Sequence, residues 1–141
     1  LAKMLVLAFP VPEAQGMPFS DVSENAWYKD YVKKAYGAGI IQGIEQDKFG
    51  VGEFVSRQDL MVMIYRISQK RGEANENSTT ISPFADDEEI SDYAKDAIYS
   101  LGAKGVISGT GDHKVQPKRY CTRAETAKTI YTMLQILKDE R

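Results

Sequence analysis

Three short words recur in this chain of 141 residues, in the same order and at nearly the same spacing. Phe19-Ser20-Asp21 returns as Phe84-Ala85-Asp86. Gly39-Ile40-Ile41-Gln42-Gly43 returns as Gly105-Val106-Ile107-Ser108-Gly109. Ser56-Arg57-Gln58-Asp59 returns as Thr122-Arg123-Ala124-Glu125. The last two words are displaced by 66 residues and the first by 65, as one loop insertion would give. The same 66-residue shift lays Trp27 on Tyr93, Val32 on Ile98, Ile64 on Ile130 and Tyr65 on Tyr131. A repeat of this size constrains the fold strongly, because each unit must bury its apolar face against a neighbour. The length alone suggests one ordinary domain. The repeat divides it instead into units at 19–68 and 84–137, linkers at 10–18 and 69–83, and a tail at 1–9.

Each unit reads as two helices joined by a turn-rich segment, which predicts an all-α fold. The first helix is expected over residues 27–38 and again over 91–104. Trp27, Tyr31, Ala35 and Ala38 fall at helical spacing, as do Tyr93, Ala97, Leu101 and the stem of Lys104. Gly39 and Gly105 follow directly, where a left-handed residue stops a helix. The second helix is expected over 57–70 and 123–138. Thr122 with Glu125 makes a capping box, and Ser56 with Asp59 a weaker version of it. Leu60, Met63, Ile64 and Ile67 form one apolar stripe; Ala127, Ile130, Met133, Leu134 and Leu137 form the other. The pieces Lys48-Phe49-Gly50-Val51 and His113-Lys114-Val115-Gln116 are too short for a sheet and read as loop or a single bridge. The polar stretch Arg71 to Ser82 cannot drive burial and reads as a flexible connection.

The tail fits the same unit. Leu1 aligns with Leu60, and Leu5 with Ile64 and Ile130, so residues 1–9 read as the last helix of a preceding repeat. The segment lacks the basic start and cleavage sequence of a signal peptide. No apolar run reaches the roughly 20 residues of a membrane span, so no membrane insertion is expected.

Composition narrows the chemistry. A net charge of −2 argues against a general nucleic-acid footprint, which needs a local excess of Lys and Arg. One cysteine, Cys121, cannot make an internal disulfide and reads as a small buried hydrophobe. One histidine, His113, leaves little material for a zinc site or a histidine-based triad; it is expected in an exposed loop. Asp86-Asp87-Glu88-Glu89 lacks the alternating spacing and glycine of a calcium loop and reads as a solvated helix entry. No acid/base pair or activated nucleophile is legible. The expectation is therefore a non-enzyme with no cofactor and no metal.

The sequence of motifs, Phe-x-Asp, an aromatic opening a helix, Gly-Ile-Ile-x-Gly, a Phe, then Thr-Arg-Ala-Glu before an amphipathic helix, resembles the S-layer homology repeat. Each word is weak; their order and spacing, met twice, make the match specific. The resemblance implies a pseudo-threefold arrangement of three repeats, with the capped helices as a central bundle, prongs projecting from it, and grooves between. It implies non-covalent attachment of a secreted protein to the bacterial cell wall. The implied partner is a secondary wall polysaccharide, often pyruvylated and so anionic, and the implied location is extracellular, in the wall or S-layer.

Eight residues are candidates for that ligand, each with a structural alternative. Arg57 and Arg123 sit at helix starts, where dipole logic disfavours a cation. Their guanidinium forks suit a carboxylate, and the pyruvate ketal carries one; the alternative is an ion pair to Asp21, Asp86 or a neighbouring unit. Trp27 offers a flat face for a sugar, or a core residue. Tyr93 takes the equivalent place with less area. Gly43 and Gly109 allow close approach of backbone to ligand, or serve turns at positive φ. Asp21 and Asp86 accept from sugar hydroxyls, or tie a local turn. Two departures, Tyr93 for Trp and Ser56-Arg57-Gln58-Asp59 for Thr-Arg-Ala-Glu, keep an alternative open: a protein–protein or structural repeat with a degenerate sugar site. With the preceding repeat reduced to its last helix, some grooves are expected to be incomplete, and a homodimer is expected to cover the apolar surface so exposed.

Overall fold

The computed structural model describes residues 1–72 and 80–139. Residues 73–79, the centre of the expected flexible connection, lie outside the described residues. The described residues are helical, in the order α1 (Ala2–Ala8), α2 (Lys29–Gly37), α3 (Arg57–Lys70), α4 (Asp92–Ala103) and α5 (Arg123–Asp139). A 3₁₀ turn, Asp87–Glu89, precedes α4. Among these residues pairing outside helices is limited to two isolated bridges, Glu45 with Lys48 and Ser56 with Tyr120. The all-α expectation holds.

The helix ends follow the local chemistry. Gly39 and Gly105 take φ of 68° and 76° directly after α2 and α4, the left-handed conformation in which a side chain would clash. Thr122 and Glu125 form the full reciprocal box. The Glu125 N–H donates to Thr122 Oγ1 at 3.1 Å, and the Thr122 N–H to Glu125 Oε2 at 2.8 Å. At α3, Ser56 Oγ accepts from the Asp59 N–H at 3.2 Å, while the Asp59 carboxylate takes the Ser56 hydroxyl instead of the Ser56 amide. Aspartate is one methylene shorter than glutamate, and the box stays half made.

Contacts divide the chain into two compact units, Leu1–Glu53 and Phe54–Arg141. The boundary between them, at Glu53 and Phe54, falls inside the repeat at 19–68. In the first unit, α1 of the tail packs on α2; in the second, α3 packs on α4 and α5.

In the first unit, Leu5 and Phe9 of the tail are buried with Val32 and Ala35 of α2 and with Phe19 and Ile40. Trp27 is not part of that core, against its place in the expected stripe. It lies in the turn before α2, where the Ala26 N–H donates to Ser23 O and the Lys29 N–H to Ala26 O. Outside the helix it does not share the helical period, and Val32 with Ala35 points inward in its stead.

In the second unit, Leu60, Ile64 and Ile67 of α3 are buried together with Ala94, Ala97, Ile98 and Leu101 of α4. The α5 stripe is rotated by one residue at its start: Thr126 is buried and Ala127 is exposed. Burying a threonine there is tolerable because its hydroxyl donates to Thr122 O at 3.0 Å within the helix. Tyr93 is likewise exposed, and Ala94 takes the inward place beside it.

Candidate functional site

The second unit holds a constellation around the first turn of α3. Arg57 is its first helical residue, and its side chain is 16% exposed. Nε donates to Val115 O at 2.7 Å. The nearest carboxylate oxygen, Glu125 Oε1, lies 3.6 Å from Nη1, long for a hydrogen bond. Among the described residues the two Nη groups donate no hydrogen bond. The guanidinium is therefore aimed by its Nε and ion-paired with Glu125 of the other repeat, as the structural alternative expected, while its Nη hydrogens stay without a hydrogen-bond acceptor among the described residues. Among the described residues of this unit Asp86 does not pair with it; Glu125 is its acidic neighbour.

Glu125 is held as a carboxylate. The Arg119 guanidinium bonded to it, with the Thr122 amide next, lowers its pKa from 4.5 to about 2. Arg119 is raised by the same contact. So two arginines flank Glu125, and a second carboxylate, Asp59, lies on the Tyr93 hydroxyl beside them. Lys118 lies close by, its ammonium on the Ser91 hydroxyl.

Tyr93 lies in the first turn of α4 and keeps 61% of its surface in water. Its hydroxyl donates to Asp59 Oδ1 at 2.7 Å and accepts from Gln58 Nε2 at 2.8 Å. Burial first, and the Asp59 bond second, push its pKa up, so it stays a donor. Gln58 is buried and fully occupied. Its Oε1 accepts from the Ser91 N–H, and its Nε2 also meets Ser91 Oγ, both at 3.1 Å. The two departures from the repeat pattern are thus one adjustment. A phenol where the pattern has an indole needs partners for its hydroxyl, and Gln58 with Asp59 supplies them. Sequence reasoning missed Gln58, Asp59, Ser91 and Arg119 as site residues; the Gln58-Asp59 departure itself was the available signal.

Asp86 is buried, and its two oxygens accept the Val115 and Gln116 amides at 2.9 and 2.7 Å. Gln116 sits at φ 55°, a left-handed position that these bonds help to hold. Asp86 thereby fixes the carbonyl that aims Arg57. Gly109 has φ 77°, and a Cβ there would meet Lys114 O at 3.2 Å and the Phe84 ring at 3.3 Å. An open cleft of about 290 Å³ is lined by Asp86, Glu89, Lys114, Gln116, Lys118 and Arg119. Asp87 is engaged elsewhere, with Lys95 and Tyr99. Arg123 opens α5, exposed, and among the described residues its guanidinium has no ion-pair partner.

His113 is exposed as expected and stacks on Phe84 with ring centroids 4.9 Å apart. Cys121 is half-buried, and burial raises its thiol pKa.

The first unit repeats part of this plan. Asp21 accepts the amides of Phe49, Gly50 and Val51 at 2.8, 2.9 and 3.1 Å. Burial works against it, and those three amides outweigh burial to lower its pKa. Gly43, at φ 83°, leaves room that a Cβ would fill against Lys48 O at 2.5 Å and Phe19 at 2.6 Å. Trp27 is 72% exposed, and the Lys3 ammonium lies 5.4 Å from the centroids of both Trp27 and Tyr31. That spacing suits a cation–π contact.

Tandem helix pairs, each with an aspartate-tied loop leading to a helix that begins with arginine, define a two-helix repeat module. The chain belongs to the S-layer homology domain family, which it matches at residues 18–61 and 83–127. It is 32% identical over 87% of its length to the exoglucanase XynX of Acetivibrio thermocellus. It is 30% identical over 83% to an amylopullulanase of Thermoanaerobacterium thermosulfurigenes, and 28% over 82% to the surface-layer 125 kDa protein of Lysinibacillus sphaericus. The chain spans 11%, 6% and 10% of those proteins. Two are named for enzyme activities and one for a surface layer, so the shared segment is common to proteins of different activity. Family and relatives place the chain at the bacterial cell surface and support cell-wall anchoring in general. Among the described residues no helix is long and apolar enough to cross a membrane.

Proposed function

We propose that this chain anchors its parent protein by binding an anionic secondary wall polysaccharide, with a pyruvylated sugar as the charged group. The observation that carries the reading is the Arg57 fork: half-buried, aimed through Nε, and without a hydrogen bond at either Nη. A bidentate carboxylate is the ligand such a fork suits. Arg119 adds charge beside it, and Tyr93 offers an exposed ring whose tip is pinned. Asp86 and Gly109 act by shaping the loop that presents Val115. In the first unit Trp27 plays the part of Tyr93, with Asp21 and Gly43 shaping its loop; in the second, Arg123 offers a further exposed guanidinium.

Sedimentation with purified Gram-positive walls tests this. Binding should vanish when the secondary polysaccharide is stripped and fall sharply in Arg57→Ala. Binding that survives stripping sinks the reading, and equal binding to depyruvylated walls removes the pyruvyl group from it. A homodimer belongs to the same proposal, supported by the exposed Leu7 of α1; light scattering that gives a monomer at every concentration removes it.

A further inference from the structure

We propose that Phe54 and Tyr120 form an aromatic platform for a neutral sugar ring next to the anionic sugar received at Arg57. This rests on the polysaccharide reading above and extends its site.

Phe54 is 76% exposed and Tyr120 60% exposed, yet their rings stack with centroids 5.3 Å apart and planes at 30°. They stand 66 residues apart, the repeat offset, so equivalent positions of two repeats meet face to face. Their mount is stiff. The Cys121 N–H donates to Val55 O at 2.9 Å, the Arg57 N–H to Arg119 O at 2.9 Å, and the Gln58 N–H to Pro117 O at 3.0 Å, around the Ser56–Tyr120 bridge. The same three bonds join the platform to the turn that carries Arg57, and Arg119 directly precedes Tyr120.

Nothing in the helical core requires aromatic rings at these exposed positions. In water they cost apolar hydration. The apolar faces of pyranose rings offer matching area at low entropic cost, since the platform is already ordered. A protein partner fits less well. Two aromatic side chains cover at most roughly 150–250 Å² each, against about 800 Å² per partner in a standard interface. Their exposed neighbours Lys118, Arg119 and Thr122 are polar. The charge beside the rings suits an acidic glycan that continues past its carboxylate.

The test uses polysaccharide released from purified Gram-positive walls and cleaved to give a pool of its isolated charged monosaccharide and a multi-repeat pool. Calorimetry on Phe54→Ala/Tyr120→Ala should show about tenfold weaker binding of the multi-repeat pool and unchanged binding of the monosaccharide pool. Phe54→Trp/Tyr120→Trp should restore the loss, and Arg57→Ala should weaken both pools. The tryptophan pair also answers if the alanine pair melts early: its extra emission should shift on saturation with the multi-repeat pool, and an unshifted difference spectrum overturns the platform. Parental binding of both pools by the alanine pair, with loss in Arg57→Ala, overturns the platform and leaves the polysaccharide reading standing. An alanine pair that keeps glycan binding but turns a dimer into a monomer reassigns the rings to self-association and also overturns it. Failure of the unaltered chain to bind either pool sinks both.

Discussion

Arg57 Nε and the Val115 carbonyl meet at 2.7 Å across 58 residues of sequence. Val115 is in turn held by the Asp86 carboxylate through its own amide. A buried acid in one loop thus orients a guanidinium on a helix, and neither residue could be aimed by its local sequence.

Arg57→Lys keeps the charge and loses both the Nε anchor and the planar fork. It should weaken wall binding by about tenfold or more, since a hydrogen bond to a charged group contributes roughly 1.5–3 kcal/mol. Sedimentation with walls measures it. Binding equal to the parent would show that charge alone suffices there.

Asp86→Ala leaves the Val115 and Gln116 amides without their acceptor in a buried place. Urea denaturation should show a loss of roughly 2–4 kcal/mol, at about 1–3 kcal/mol for each unsatisfied group and with partial relaxation. Asp86→Asn keeps one oxygen acceptor and should lose less. Wall binding should fall in parallel, because Val115 no longer aims Arg57.

Tyr93→Phe removes the hydroxyl shared by Gln58 and Asp59. The expected cost is about 1–2 kcal/mol of stability. Gln58→Ala with Tyr93→Trp should be less damaging than the two single changes summed, because the hydroxyl and its partner leave together. Strict additivity in that double-mutant cycle would refute the coupling.

Gly43→Ala and Gly52→Ala separate strain from crowding. Both glycines have positive φ, at 83° and 88°. A Cβ at Gly52 meets nothing within 4 Å, whereas at Gly43 it meets Lys48 O at 2.5 Å and Phe19 at 2.6 Å. Gly52→Ala should cost about 1–2 kcal/mol, the left-handed penalty alone. Gly43→Ala should lower the melting temperature clearly more.

Glu125 predicts an acid limb. Its folded pKa is depressed, from 4.5 to about 2, by Arg119 first and the Thr122 amide second. The unfolded chain therefore takes up the proton first as pH falls. The stabilisation is complete above about 4.5 and is lost as pH falls toward 2. Glu125→Gln should flatten this limb in pH-dependent melts, and an unchanged limb would assign acid sensitivity to other carboxylates.

The helices, their glycine stops and the Thr122–Glu125 box were legible because each depends on residues within about one turn of one another. The repeat offset also foretold which positions would correspond. Trp27 and Ala127 were misplaced in their stripes because periodicity does not register where a helix begins or how far a face rotates in packing. Helix caps and apolar periods are local or nearly so, and the sequence by itself determined them. Which carboxylate stands beside Arg57, why Asp86 is spent on backbone amides, how Gln58 completes Tyr93, and that Phe54 meets Tyr120 were decided only by the tertiary structure. Those contacts join residues 29 to 68 positions apart, and only packing brings such distant groups within ion-pairing, hydrogen-bonding or stacking range.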